Sequence, residues 1–180
     1  MTDRRDGQEP ESIDGLEVLT PRVRGLLLVL VVLLLAGVTA TALVPRTLGE
    51  GRTLLATPWE IAAAPRLLAP SFAVTADAST EVVRGTRWPG RLQAAQVRLG
   101  LDAVAVVGSV PPGTDSVRLT TDVGTVHESR VGRLAWHRIH VTVLAGPSTV
   151  TEVVAIGADG QVLTVVGDLP APLELSPAGP

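Results

Sequence analysis

Hydrophobic and polar positions along the chain fall into three regimes. Residues 1–24 are polar without apolar periodicity, residues 25–44 are continuously apolar, and from Ser71 onward short alternating runs take over. The middle regime, GLLLVLVVLLLAGVTATALV from Gly25 to Val44, carries no charge. A helix of that length spans ~30 Å, one bilayer core, and inside hydrocarbon every backbone polar group needs an internal partner. The pattern therefore predicts a single N-terminal transmembrane helix over 25–44. A cleaved signal peptide competes with it: Leu26–Ala36 has the length of a signal h-region, and Ala40-Thr41-Ala42 satisfies the small-x-small rule. Against cleavage, the preceding segment holds six acidic residues against four arginines, and the apolar run continues through Leu43 and Val44 until Pro45. The uncleaved anchor is the favoured reading, and on both readings the remainder leaves the cytoplasm.

Arg22 and Arg24 precede the run while Arg46 and Arg52 follow it, so the local charge bias is slight. A short head before a first span usually stays inside, and long trailing domains translocate largely regardless of charge. The expected topology is a single-pass protein of the cell membrane, with its N-terminus cytoplasmic and its C-terminal domain extracytoplasmic. Residues 1–24 read as a disordered cytoplasmic head. Its sparse apolar positions, Ile13, Leu16, Val18 and Leu19, suit a solvated tail better than a partner-binding turn.

Residues 45–70 read as a juxtamembrane connector. Within it Thr57-Pro58-Trp59-Glu60 has the chemistry of a helix start, with an N-cap threonine, proline at the first position and glutamate three residues on; Pro65 would end that helix. Trp59 and Ile61 then rest either on the outer membrane interface or on the domain that follows. From there the runs Phe72–Ala76, Glu81–Arg84, Leu92–Leu99, Ala103–Ser109, Ser116–Thr121, Thr125–Arg130, Arg133–Leu144, Val150–Ala158 and Gln161–Val166 predict strands. Pro111-Pro112-Gly113 and Asp122-Val123-Gly124 break the chain between them. Asp159-Gly160, between two apolar runs, predicts a type I′ hairpin turn. Many short strands without helical periods between them predict an all-β, Ig-like sandwich ectodomain over residues 71–167. Residues 168–180 read as a flexible, Pro-rich tail.

Composition narrows the function classes. The net charge of −3 gives no reason to expect nucleic acid as a partner. There is no cysteine, which excludes disulfides, thiolate nucleophiles and thiolate metal sites. All fifteen basic residues are arginine and tyrosine is absent, a bias of G+C-rich coding sequences such as actinobacterial ones.

The arrangement Val107-Gly108-Ser109-Val110-Pro111-Pro112-Gly113, then Val117-Arg118-Leu119-Thr120, then Val153–Leu163 resembles the Ig-like β-sandwich ectodomain of small, uncharacterised single-pass membrane proteins of actinobacteria. The likeness covers roughly the last 75 residues of the fold, and its motifs are turn and strand chemistry. It implies a fold and carries over no activity and no functional residue.

No residue pattern points to catalysis. His127, His137 and His140 are the histidines; His137 and His140, three apart on an expected strand, fall on opposite faces, so no metal site is expected. Ser109, Ser116, Ser129 and Ser148 lie outside any Gly-x-Ser-x-Gly elbow, and Asp115, Asp122 and Asp159 sit where turns want aspartate. No cofactor is expected. The one local concentration of a single sign is Arg84, Arg87, Arg91 and Arg98, interleaved with Trp88. Arg84, Arg87, Trp88 and Arg91 are the candidate partner-binding residues, because arginine and tryptophan combine contact area with directed polar groups. Trp136 falls in register with Arg138 and His140, so either a bulge turns it into the core or it is exposed and marks a surface. The expected function is a membrane-anchored, non-catalytic envelope protein whose β-domain binds a protein or envelope partner. The alternative is a transmembrane signalling component whose outer domain senses envelope state and whose head contacts a cytoplasmic regulator.

Overall fold

The computed structural model describes residues 21–42, 44–66, 69–85 and 91–175, with helix side chains described over 23–34. They fall into two compact units that divide between Thr41 and Ala42.

The first unit contains all but the last residue of α1, Pro21–Ala42, with proline at the first helical position where its missing N–H costs no hydrogen bond. Every residue from Val23 to Leu34 is exposed, Leu26 at 74%, so α1 presents leucine and valine on all sides. Among the described residues no helix is long and apolar enough to cross a membrane.

The second unit is all-β. Strands β1 (Arg46–Arg52), β2 (Pro58–Ala64), β3 (Ser71–Ala76) and β4 (Ser79–Arg84) form a four-stranded antiparallel sheet in chain order. Strands β5 (Ala95–Arg98), β6 (Ala103–Ser109), β7 (Thr114–Thr121), β8 (Val126–Leu134), β9 (His137–Ala145), β10 (Val150–Gly157) and β11 (Val162–Gly167) form a seven-stranded sheet. Its order is β11-β10-β7-β8-β9-β6-β5.

The centre of the packing is β6, buried at all seven positions. Its sequence AVAVVGS has no polar alternation because both faces are covered, the pattern expected of a strand inside a layered core. Ala103, Ala105 and Val107 face one core, with Ile61, Phe72, Val74 and Val83 of the four-stranded sheet and Val97, Leu99, Leu134 and Ile139. Val104 and Val106 face the other, with Val117, Leu119, Leu144, Val150, Val153 and Ala155. Strand β8 makes this possible. Its Val126–Arg130 half pairs with β7 and its Val131–Leu134 half with β9, so the seven-stranded sheet doubles back there and packs one half on the other. Two apolar cores replace the single core that a simple sandwich would have. Fully burying a side chain such as Phe72, Ile61 or Leu119 contributes about 1.5–3 kcal/mol.

Several expectations are corrected. The Thr57–Glu60 stretch opens a strand, not a helix: Pro58 pairs with Arg52 at the end of β1, where a missing amide is tolerated, and Ile61 and Ala63 face the first core. Residues 45–66, 69 and 70 are therefore part of the folded unit rather than a connector. Trp59 packs against the first core, its ring over Gly49 and Gly51 of β1; a Cβ at Gly51 would fall 2.8 Å from the indole. The run Arg133–Leu144 is not one strand but a hairpin, with Ala135 at φ 52° and Trp136 in the turn. At Asp159-Gly160 only Gly160 has positive φ, at 80°, and Gly160 N donates to the Gly157 carbonyl at 2.9 Å while Gly157 N donates to Gln161 at 2.8 Å. That is a type I turn closed by a left-handed glycine rather than type I′. The two-residue turn with positive φ at both positions is Asp77-Ala78, at 45° and 63°.

The tail is also ordered further than expected. Leu173 bridges Val97 in parallel, donating to the Gln96 carbonyl at 2.8 Å and accepting from Arg98 N at 2.9 Å. Arg98 pairs with Glu174 at 2.9 Å, while Leu169 and Leu175 pack against the two cores. Residues 168–175 form a strap along β5. Buried Gln96 secures it: its Nε2 donates to Val150 O at 2.8 Å and Pro170 O at 3.1 Å, and its Oε1 accepts from Val150 N at 2.7 Å.

Candidate functional site

Of the four candidate partner-binding residues, the structure places two. Arg84 ends β4, an edge strand of the four-stranded sheet, and is exposed; Arg91, beside buried Leu92, is exposed as well. Arg87 and Trp88 lie outside the described residues. The two ends of the intervening segment are tied to the fold. Gly85 N donates to the Pro70 carbonyl at 2.7 Å, and a Cβ at Gly85 would meet Pro70 at 2.8 Å, so glycine permits this approach. Gln93 Nε2 donates to the Arg84 carbonyl at 3.1 Å and Gln93 N to the Ser109 carbonyl at 2.9 Å. Leu92, between Arg91 and Gln93, is buried in the second core. Arg84 and Arg91 thus stand on a stem whose backbone is fixed on both sides. Arg98, the fourth member of the sequence cluster, is drawn away into its pairing with Glu174.

The histidines do not converge. Strand β9 places His137 and His140 on opposite faces. His137 Nε2 lies 2.8 Å from the Arg66 carbonyl, whereas His140 is fully buried with Nε2 3.3 Å from the Gln93 carbonyl. The imidazole pKa is lowered to about 4 because burial penalises its charged form, the Gln93 carbonyl pulling weakly the other way. Its Nδ1 has no hydrogen-bond partner. Gly108 makes room for this arrangement: a Cβ there would lie 1.7 Å from the Gln93 carbonyl oxygen and 2.8 Å from His140 Nε2. Among the described residues no group of three histidine or acidic side chains is placed to hold a metal ion. Ser109 and Ser116 are buried, and Ser109 lies on the face of β6 opposite that toward which His140 points, so the two form no dyad. Asp122 accepts from Thr149 N, 27 positions along the chain, tying two loops together, and Asp159 accepts from Gln161 N, closing its own turn.

Sequence reasoning did not anticipate a shallow cleft of about 560 Å³ at the end of the four-stranded sheet, lined by Glu50, Arg52, Trp59, Glu60 and Asp77 among others. It combines an indole edge with three carboxylates and one guanidinium. No signal for it was available, because its members, from Glu50 to Ala78, are spread over three strands and meet only through the β1–β2–β3 register. Trp136 is 48% exposed in its turn, its ring 5.5 Å from that of His137. With this geometry in view, comparison adds no relative: no family model, curated protein or solved structure matches the chain.

Proposed function

We propose that this chain is a membrane-tethered, non-catalytic binding module of the cell envelope, α1 serving as its single transmembrane anchor and the β-unit engaging a protein or envelope partner outside. The observation that carries the tethering is the surface of α1: leucine and valine exposed on every side from residue 26 to 34. A helix apolar all round has no water-facing side, and a bilayer is the environment that suits it. The uncharged run to Val44 supplies the length, and a short head before a first span, which usually stays inside, puts the β-unit outside. The two-sheet packing of the β-unit is compatible with an Ig-like sandwich.

Binding is assigned to the Arg84–Arg91 stem. Fixing the backbone on both sides lowers the ordering entropy that a docking surface must otherwise lose. Fractionation under alkaline carbonate tests the anchor, with the full-mass protein expected in the pellet. A soluble species beginning at Leu43 would instead identify Ala40-x-Ala42 as a processing site. Changing Arg84, Arg87 and Arg91 together to glutamine tests the surface: partner capture from membranes is expected to fall with the fold intact, and capture at wild-type strength refutes the assignment.

A further inference from the structure

Among the described residues the β-unit has four sheet edges, and three are guarded. Strand β1 carries Arg46, Glu50 and Arg52 and a register shift between Thr47 and Gly49. Strand β4 carries Glu81 and Arg84. Strand β5 is covered by the C-terminal strap through Leu173. Charges, bulges and covering segments are the means by which sheets avoid pairing edge to edge. Strand β11 departs from this pattern. Its sequence VLTVVG holds no charge and no proline, yet Val162, Leu163 and Val165 are 54, 41 and 51% exposed. The register shift opposite Ile156 affects only its first residues; Thr164–Gly167 run regularly along β10 and leave their other side without a neighbouring strand.

We propose that β11 is a self-association edge that pairs antiparallel with β11 of a second copy about a two-fold axis, continuing the seven-stranded sheet across a dimer. A two-fold interface requires a surface complementary to itself. An uncharged strand meets that requirement because no position of it can face a like charge in the copy. The nearest acids, Asp159 and Asp168, bracket the strand and are both exposed. With the axis through Thr164, Asp168 lies opposite the copy's uncharged Gly160, and Val162 opposite its Val166. Strand pairing then satisfies the free backbone groups of both edges and removes branched apolar side chains from water. A six-residue edge is small against the area of a permanent interface, so the dimer is a reversible one. The inference concerns the β-unit alone and stands whether or not α1 crosses a membrane.

Because the chain has no cysteine, single cysteines introduced at each position from 162 to 167 of the full-length protein report the pairing directly. Copper-phenanthroline oxidation is expected to give disulfide-linked dimer in highest yield at position 164, on the two-fold axis, with the yield falling on either side as each residue and its copy move apart. A cysteine at Val82, equally exposed on guarded β4, serves as the collision reference. Val165→Arg added to the best-linking variant is expected to lower the yield about tenfold without moving the unfolding midpoint. Yields no higher than that of Val82→Cys, a flat profile from 162 to 167, an unchanged yield with Val165→Arg, or linkage to a different protein in place of the second copy would each overturn the proposal.

Discussion

His140 makes the stability of the β-unit depend on pH in a calculable way. Its imidazole is fully buried and stays neutral in the fold, with a pKa of about 4 against 6.5 in the open chain. The folded pKa is the lower one, so between the two values the unfolded chain binds a proton that the folded chain does not. Stability from this group is complete above about pH 7.5 and is lost as pH falls through 6.5 towards 4, after which the loss levels off. The full difference, at 1.36 kcal/mol per pH unit, is about 3 kcal/mol; the share lost by pH 5 is about 2 kcal/mol. Against a typical domain stability of about 5–15 kcal/mol this is a large effect. His140→Gln keeps an amide donor for the Gln93 carbonyl and cannot titrate. Urea unfolding of the full chain in mild detergent, at pH 7.5 and pH 5, is expected to show the parent losing about 2 kcal/mol more than the variant. Equal losses in the two proteins would show that the imidazole is hydrated or charged in the fold, and the burial argument would fail.

Three further outcomes follow from the packing. Gly108→Ala, which would drive a Cβ to 1.7 Å from the Gln93 carbonyl oxygen, is expected to cost at least about 3 kcal/mol or abolish folding, read by loss of the cooperative urea transition. Gln96→Leu strips the buried Val150 amide and carbonyl of their partners and is expected to cost about 2–4 kcal/mol, with faster proteolysis after Leu169 as the strap loosens. A chain beginning at Ser71 lacks β1 and β2, and with them Ile61, Ala63 and Trp59 of the first core; it is expected to show no cooperative unfolding, whereas one beginning at Pro45 retains it.

The strands legible in the sequence were those whose pattern local physics determines. Ala103–Ser109 was delimited to the residue, since an uninterrupted apolar run between turn signals has few alternatives to a buried strand. What escaped were features decided by tertiary partners. Pro58-Trp59-Glu60 satisfies every local rule for a helix start, but a seven-residue strand with Ile61 and Ala63 on one face buries more against Phe72 and Val74 than a two-turn helix would. The β8–β9 turn was invisible because Ala135-Trp136 lacks the Gly, Asn or Asp that positive φ favours; the fold imposes that backbone on alanine at a local cost of about 1–2 kcal/mol. The tail's prolines marked it as unstructured, yet proline forbids only donation by its own nitrogen. Leu173 between them keeps both of its backbone groups, and those are the ones β5 uses.

The candidate site divides along the same line. Arg84 and Arg91 were legible as exposed cations because a charged side chain rarely tolerates burial, whatever the fold. Arg98, indistinguishable from them in sequence, proves to be committed to Glu174, 76 positions away. The distinction arises because the strap crosses β5, an arrangement secured by the buried amide of Gln96. A glutamine between Ala95 and Val97 gives no local sign of that role, which exists only once Val150 and Pro170 are brought to it. The same reasoning explains why β11 stands out only in three dimensions. Its six residues read like any other short apolar strand, and its lack of protection is visible only by contrast with edges whose charges, bulge and strap the topology places at β1, β4 and β5.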